Sequence, residues 1–214
     1  MMVILSILSF GLFIYSVILH EIAHGWVADR LGDPTARLMG RLTLNPIPHI
    51  DPIMSILLPL FLRLTGSPVI FGAAKPVPID PYNLRHPQKE MGIIALAGPV
   101  ANLSLAIILA TLARISLIFF PNLFLIQLLA NVVMINLVLA LFNLIPLPPL
   151  DGGRILIALL PPEQARSFAS LERFGILIIF FLLVFPSSFF SLSSILYHTT
   201  SFIFNLIFPG VPFI

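Results

Sequence analysis

The sequence predicts an all-α polytopic membrane protein. It has a three-helix core, a further membrane helix or hairpin at the C-terminal end, and a short extended, β-like segment lying against the membrane. Three observations carry this prediction. Hydrophobic residues make up 58% of the 214 residues and charged residues only 9%, whereas a soluble domain carries about 25% charged residues. Several apolar runs reach the length of about 20 residues that crosses a bilayer as a helix. The basic residues gather on one side of the resulting topology. The net charge of +2 is small and scattered, so nucleic acid is not an expected partner. With no cysteine, disulfides and thiolate metal sites are excluded.

The first element runs from Met2 to Leu31, with no charge between Val3 and Leu19. It lacks a basic leading region, and its apolar run exceeds the roughly 7–15 residues of a signal peptide core. It therefore reads as a retained transmembrane helix, stopped by Gly32-Asp33-Pro34. Residues 32–51 form a polar connection with Asn45-Pro46 and Pro48. Residues 53–62 are apolar but too short to span, and residues 67–80 read as extended, cut by proline and glycine. Together these make a re-entrant or interfacial excursion. A second long helix is expected over 89–120 and a third over 123–144. The break PLPPLDGG follows, then a short helix over 154–160. Beyond Phe174 no Asp, Glu, Lys or Arg occurs, so the tail should cross the membrane at least once, kinked near Pro186.

With the Arg30 end of the first helix in the cytoplasm and residues 53–64 dipping without crossing, Arg114 alone of the 11 Lys and Arg residues falls outside. That is the asymmetry expected of a positive-inside protein. The same topology brings HEIAH, residues 20–24, and Asp151 to one depth near the cytoplasmic face.

HEIAH has the pattern H-E-x-x-H. Histidines at i and i+4 share a helix face and can hold one metal ion, while the glutamate beside them can serve as a base toward water. Buried histidines with local hydrogen-bond partners are the plainer reading. Ionisable groups are costly at membrane depth, however, and usually functional there. Catalytic zinc takes three protein ligands. Asp151, in the proline break before Gly152-Gly153, is the best third candidate, against a plainer role as a helix N-cap. His49, His86 and His198 are weaker rivals in loops and tail. In LAGPVAN, the small residues Ala95, Gly98, Ala101 and Ala106 allow a close helix approach. Asn102 either donates to a substrate carbonyl and its developing oxyanion or makes a helix-to-helix hydrogen bond. For Asn131, Asn136 and Asn143 the helix-to-helix role is preferred. The stretch GAAKPVPI, residues 72–79, is either an interfacial loop or an edge to which an unwound peptide adds as a strand.

HEIAH, LAGPVAN and NLIPLPPLDGG, in this order within residues 10–165, resemble the site-2 protease family of intramembrane zinc metalloproteases. The resemblance implies one Zn²⁺ per chain on His20, His24 and Asp151, with Glu21 as catalytic base. It implies hydrolysis of peptide bonds within or near the bilayer, in a single-span membrane protein or peptide, as in regulated intramembrane proteolysis. It also implies a minimal form without a PDZ domain, as one protease domain over 1–214 with its core at 2–165 and a C-terminal membrane segment at 170–214. The expected setting is the cell membrane of a prokaryote, with the active site toward the cytoplasm. Two rival readings are a divalent-metal transporter and a catalytically silent membrane adaptor. The transporter would need exchangeable sites in both halves of the membrane, where the sequence gathers its acidic and histidine groups at one depth. The adaptor would have no use for Glu21.

Overall fold

The computed structural model describes residues 1–66, 72, 74–184 and 191–208. The chain opens with α1 (Met2–Leu31), matching the expected bounds. Its apolar sequence favours a helix that buries every backbone polar group, which lipid demands. The helix ends where Gly32 takes φ 112°, a left-handed value that L side chains avoid. Gly32 N–H then donates to the Asp29 carbonyl and Asp33 N–H to the Ala28 carbonyl, closing the last turn.

After α2 (Thr35–Leu38) come a 3₁₀ turn (Ile47–His49), a wide π turn (Pro52–Leu57) and α3 (Leu58–Leu64). The apolar run after residue 52 is thus a 13-residue helical segment (6 in the π turn and 7 in α3), too short to span. Among the described residues there is no β-strand. Residues 67–71 and 73 of the expected extended segment lie outside the described residues, and 74–80 run without regular structure to a 3₁₀ turn (Pro81–Asn83).

α4 (Pro87–Phe119) and α5 (Leu123–Asn143) follow, joined by a short link in which the Asn122 side chain accepts from Leu125 N–H. Among the described residues, they and α1 are the three helices long and apolar enough to cross a membrane, at 30, 33 and 21 residues. The described residues are thus helical without strands and hold three candidate membrane-spanning helices, consistent with a polytopic membrane protein. α6 (Asp151–Leu159), α7 (Pro162–Ala169), α8 (Glu172–Val184) and α9 (Leu192–Ile207) complete it. The described tail holds two helices of 13 and 16 residues, each shorter than a full span. The expected kink at Pro186 lies outside the described residues.

α4 is the central element, packed against α1, α5 and α6. Its Ala106, Ala110 and Ala113 let α5 approach closely, and Ile126, Val133 and Leu137 of α5 fill the contact with Phe204 and Phe208. At the other end of α1, wholly buried Asp33 gathers three segments. Its carboxylate accepts from Thr35 N–H and hydroxyl, Asp80 N–H and Asn83 Nδ2. Burial pushes this carboxyl up, but the hydrogen bonds outweigh it and hold the group below its ordinary range. This staple brings residues 74–83 back beside α1.

Candidate metal centre

One helical turn separates His20 from His24, so both project from α1 toward α4. Their rings lie edge to face with centroids 4.7 Å apart, and both residues are buried. Each ring is held through its Nδ1. His24 Nδ1 lies 2.7 Å from the carbonyl oxygen of Ile94. A carbonyl only accepts, so this Nδ1 carries the proton and Nε2 is left with a lone pair. His20 Nδ1 lies 2.8 Å from Asn102 Oδ1, which has the same effect. Both Nε2 atoms then face Asp151.

Asp151 arrives from the far end of the chain. The sequence reading began the short helix at Arg154. The helix in fact begins at Asp151, and the N-cap position falls to Leu150. The plainer cap role is therefore not the one Asp151 fills. Gly152 and Gly153 allow the expected close approach, since a Cβ at either would lie 2.3 Å from Leu144 O or Pro148 N. Neither has a positive φ, so contact rather than turning freedom is what they provide.

Asp151 Oδ2 sits 3.1 Å from His20 Nε2 and 3.4 Å from His24 Nε2. It is buried with no hydrogen-bond partner. Three electron-rich atoms thus converge with no proton assigned between them, an arrangement that calls for a cation. The two spacings to the Asp151 oxygen suit zinc, and all three atoms lie within 4.8 Å of one another. Metal bonds of about 2.0–2.1 Å in a tetrahedron put ligand atoms about 3.3–3.4 Å apart. Among the described residues this is the one group of three His, Asp or Glu side chains with metal-binding spacing. His49 instead faces the Thr43 carbonyl, His86 precedes α4, and His198 packs on Tyr197.

Room for the two rings comes from Gly98, where a Cβ would stand 2.5 Å from His24 Nε2 and 2.6 Å from His20 Nε2. Glu21 points beside the triangle, its Oε2 accepting from Val77 N–H at 2.9 Å. Gly25 allows that contact, because a Cβ there would meet Val77 at 2.9 Å. A cavity of about 140 Å³ opens between Glu21 and the triangle, reaching Asn143 and Arg154.

The segment from Lys75 to Pro78 is heavily engaged. Lys75 N–H donates to the His49 carbonyl and Val77 N–H to Glu21, while Pro76 and Pro78 have no N–H. Arg41 donates to the Lys75 and Pro76 carbonyls. Along these four residues no backbone donor remains for an incoming strand.

Asn102, 1% exposed, uses its carbonyl toward His20 and its amide toward Asn136 on α5. The helix-to-helix bond weighed in the sequence is present, and the same side chain also orients His20. Two further residues line the cavity. Asn143, for which the sequence favours a helix-to-helix bond over a substrate role, instead donates to the Leu139 carbonyl of its own helix and stands at the end of α5 where the break begins. Arg154 reaches the cavity because α6 starts at Asp151, which sets the two three residues apart on one helix.

A family model described as peptidase family M50 matches residues 8–121 and 118–186. Among curated proteins, YwhC of Bacillus subtilis, named as a candidate zinc metalloprotease, is 38% identical over 179 residues, covering 81% of this chain and 78% of that protein. Rip2 of Mycolicibacterium smegmatis, named likewise, is 33% identical over 177 residues, covering 80% of this chain and 64% of its own length. MJ0611 of Methanocaldococcus jannaschii, with the same description, is 44% identical over 68 residues, covering 32% of this chain and 34% of its own. The chain thus matches somewhat less than two thirds of the Rip2 relative. No solved structure matches the chain significantly.

Proposed function

The chain belongs to peptidase family M50 and is a zinc metalloprotease of the membrane; on that premise we propose that it hydrolyses peptide bonds of single-span membrane proteins within or near the bilayer. His20, His24 and Asp151 hold the zinc, and Glu21 is the base. The observation that carries this reading is the partnerless, buried Asp151 Oδ2 set 3.1 and 3.4 Å from two histidine nitrogens on a membrane-spanning helix.

When bound there, zinc supplies Lewis acidity that polarises a carbonyl and makes water nucleophilic near neutral pH. The protein's own groups do the rest. Glu21 takes the proton of the attacking water and delivers it to the amine nitrogen as the C–N bond breaks. The Val77 N–H holds one Glu21 carboxylate oxygen at 2.9 Å, and Glu21 lines the cavity beside the triangle. Asn102 and the Ile94 carbonyl keep the two rings turned toward Asp151. His24 lies six residues before Arg30 on α1, about 9 Å of helix rise. Water therefore has a short path from the end of the span that carries Arg30, the cytoplasmic end under the positive-inside rule. A helical substrate must unwind locally, because its carbonyls are otherwise closed in backbone hydrogen bonds. A substrate with helix-breaking residues near the cut should therefore react faster.

The test is incubation of purified, lipid-reconstituted protein with a panel of single-span substrates, with and without chelator. Cleavage should stop on zinc removal and return on zinc addition. Cleavage that persists in metal-stripped protein would overturn the assignment.

A further inference from the structure

Hydrogen bonds define a chain of side chains from α5 to the metal centre. Asn136 Nδ2 lies 2.8 Å from the Val132 carbonyl and 2.9 Å from Ser16 Oγ. The carbonyl only accepts, so the amide nitrogen of Asn136 must face it. Ser16 gives its own hydroxyl proton to the Leu12 carbonyl and so accepts the second Asn136 hydrogen. Asn136 Oδ1 is thereby turned toward Asn102, which must present Nδ2, at 3.1 Å. Asn102 Oδ1 is left facing His20 Nδ1 at 2.8 Å. An acceptor at that position puts the His20 proton on Nδ1 and leaves Nε2 bare toward Asp151.

We infer that Asn136 is a positioning residue for the metal centre: acting through Asn102, it decides which nitrogen of His20 carries the proton and which is free to bind zinc. The inference rests on the ligand set proposed above. Ser16, Asn102 and Asn136 are 2%, 1% and 0% exposed, so water does not replace a lost partner. Asymmetry between the histidines sharpens the assignment. His24 receives the same instruction from a backbone carbonyl, which no substitution removes. Only His20 depends on a relay of side chains. Without Asn136, the Asn102 amide is free to flip and present its NH₂ to Nδ1. That reverses the tautomer and places a hydrogen on the nitrogen that should bind metal.

The test uses full-length, metal-stripped protein in lipid with ¹⁵N-labelled histidine. Solid-state NMR reads each ring's tautomer, and competition with a chelator of known affinity reads zinc binding. In Asn136→Leu, His20 should move its proton to Nε2 while His24 keeps Nδ1–H, and zinc should bind about 10–100-fold more weakly. Adding Asn102→Asp should restore Nδ1–H and zinc affinity, because a carboxylate accepts from Nδ1 whatever stands at 136. An unchanged His20 tautomer in Asn136→Leu, or no rescue in the double variant, overturns the relay. If Asn136→Leu also loses the His24 signal, the helices have not assembled and Asn136→Asp decides, since its carboxylate still accepts from Asn102 Nδ2. His20 must then keep Nδ1–H; a proton on Nε2 overturns the inference. Asp151→Ala separates the two levels of argument. Full zinc binding by that variant would refute the ligand set, whereas zinc loss with His20 still protonated on Nδ1 supports both levels and a proton moved to Nε2 overturns the relay.

Discussion

A single methyl group at position 98 should disable the site. In Gly98→Ala the new Cβ would lie 2.5 Å from His20 Cε1 and His24 Nε2 and 2.6 Å from His20 Nε2. Ordinary contact needs about 3.5 Å, so three atoms are overlapped by about 1 Å each. Neither ring can swing away cheaply. Rotation of His20 breaks its 2.8 Å bond to Asn102, and rotation of His24 breaks its 2.7 Å bond to the Ile94 carbonyl. The alternative is for α1 and α4 to part by about 1 Å, which stretches the same two bonds. Overpacking of this kind costs about 1–3 kcal/mol, or roughly 5–150-fold in zinc affinity if it falls on the bound state. Chelator competition measures it directly. Gly11→Ala on α1 is the control, because nothing lies within 4 Å of its Cβ. Removing a glycine from a helix interior even favours the helix by about 1 kcal/mol. Parental zinc affinity in Gly98→Ala would refute the claim that the imidazoles are fixed against α4.

Three further outcomes follow. Glu21→Gln should keep zinc and fold but slow cleavage by about 10²–10⁴-fold; near-normal cleavage would remove Glu21 as the base. A cysteine replacing Lys75 should be labelled by an impermeant reagent only from the cytoplasmic side, and labelling only from outside would break the topology read from the basic residues. Asp33 has a depressed folded pKa, so its contribution is fully present above the unfolded value of about 3.9 and is lost as pH falls through the lower folded value. Thermal unfolding in detergent should show that acid step in the parent and not in Asp33→Asn; identical pH profiles would show that Asp33 is no staple.

Much of the site was legible because metal chemistry restricts both residue type and spacing. An H-E-x-x-H pattern at the end of a 17-residue run without charge has few other uses, and a third ligand had to come from another segment at the same depth. The core helices were legible because lipid permits few backbone solutions. Alignment within contacts was not. The start of α6 was placed three residues late, because Gly152-Gly153 reads as a breaker until Leu144 and Pro148 are known to press against it. Asn136 and Asn143 look alike in a run of apolar residues, and only the neighbour each meets separates one facing Asn102 from one lining the cavity. The engagement of Lys75 and Val77 was equally hidden, since their partners are 26 and 56 residues away (75 − 49 and 77 − 21).

The two motifs in α1 and α4 become one device when their geometry is compared. His20 and His24 are four residues apart on α1, about 6 Å of rise. Their partners Asn102 and Ile94 are eight apart on α4, about 12 Å. The pairing runs in opposite directions, so the helices are antiparallel there, yet the spans differ twofold. Helix geometry closes the gap from both sides. A backbone carbonyl points toward the C-terminal end of its helix, so the Ile94 oxygen reaches toward the level of residue 98. A helical side chain leans toward the N-terminal end, so Asn102 reaches back to the same level. Gly98, midway between them, is where the rings need space and the only side chain is a hydrogen. The order Ile94, Gly98, Asn102 is therefore carbonyl, gap and amide on one face of α4, matched to two imidazoles one turn apart. Moving the amide by one residue would carry it about 100° around the helix and away from His20. The spacing of the α4 motif is thus set by the spacing of the histidines.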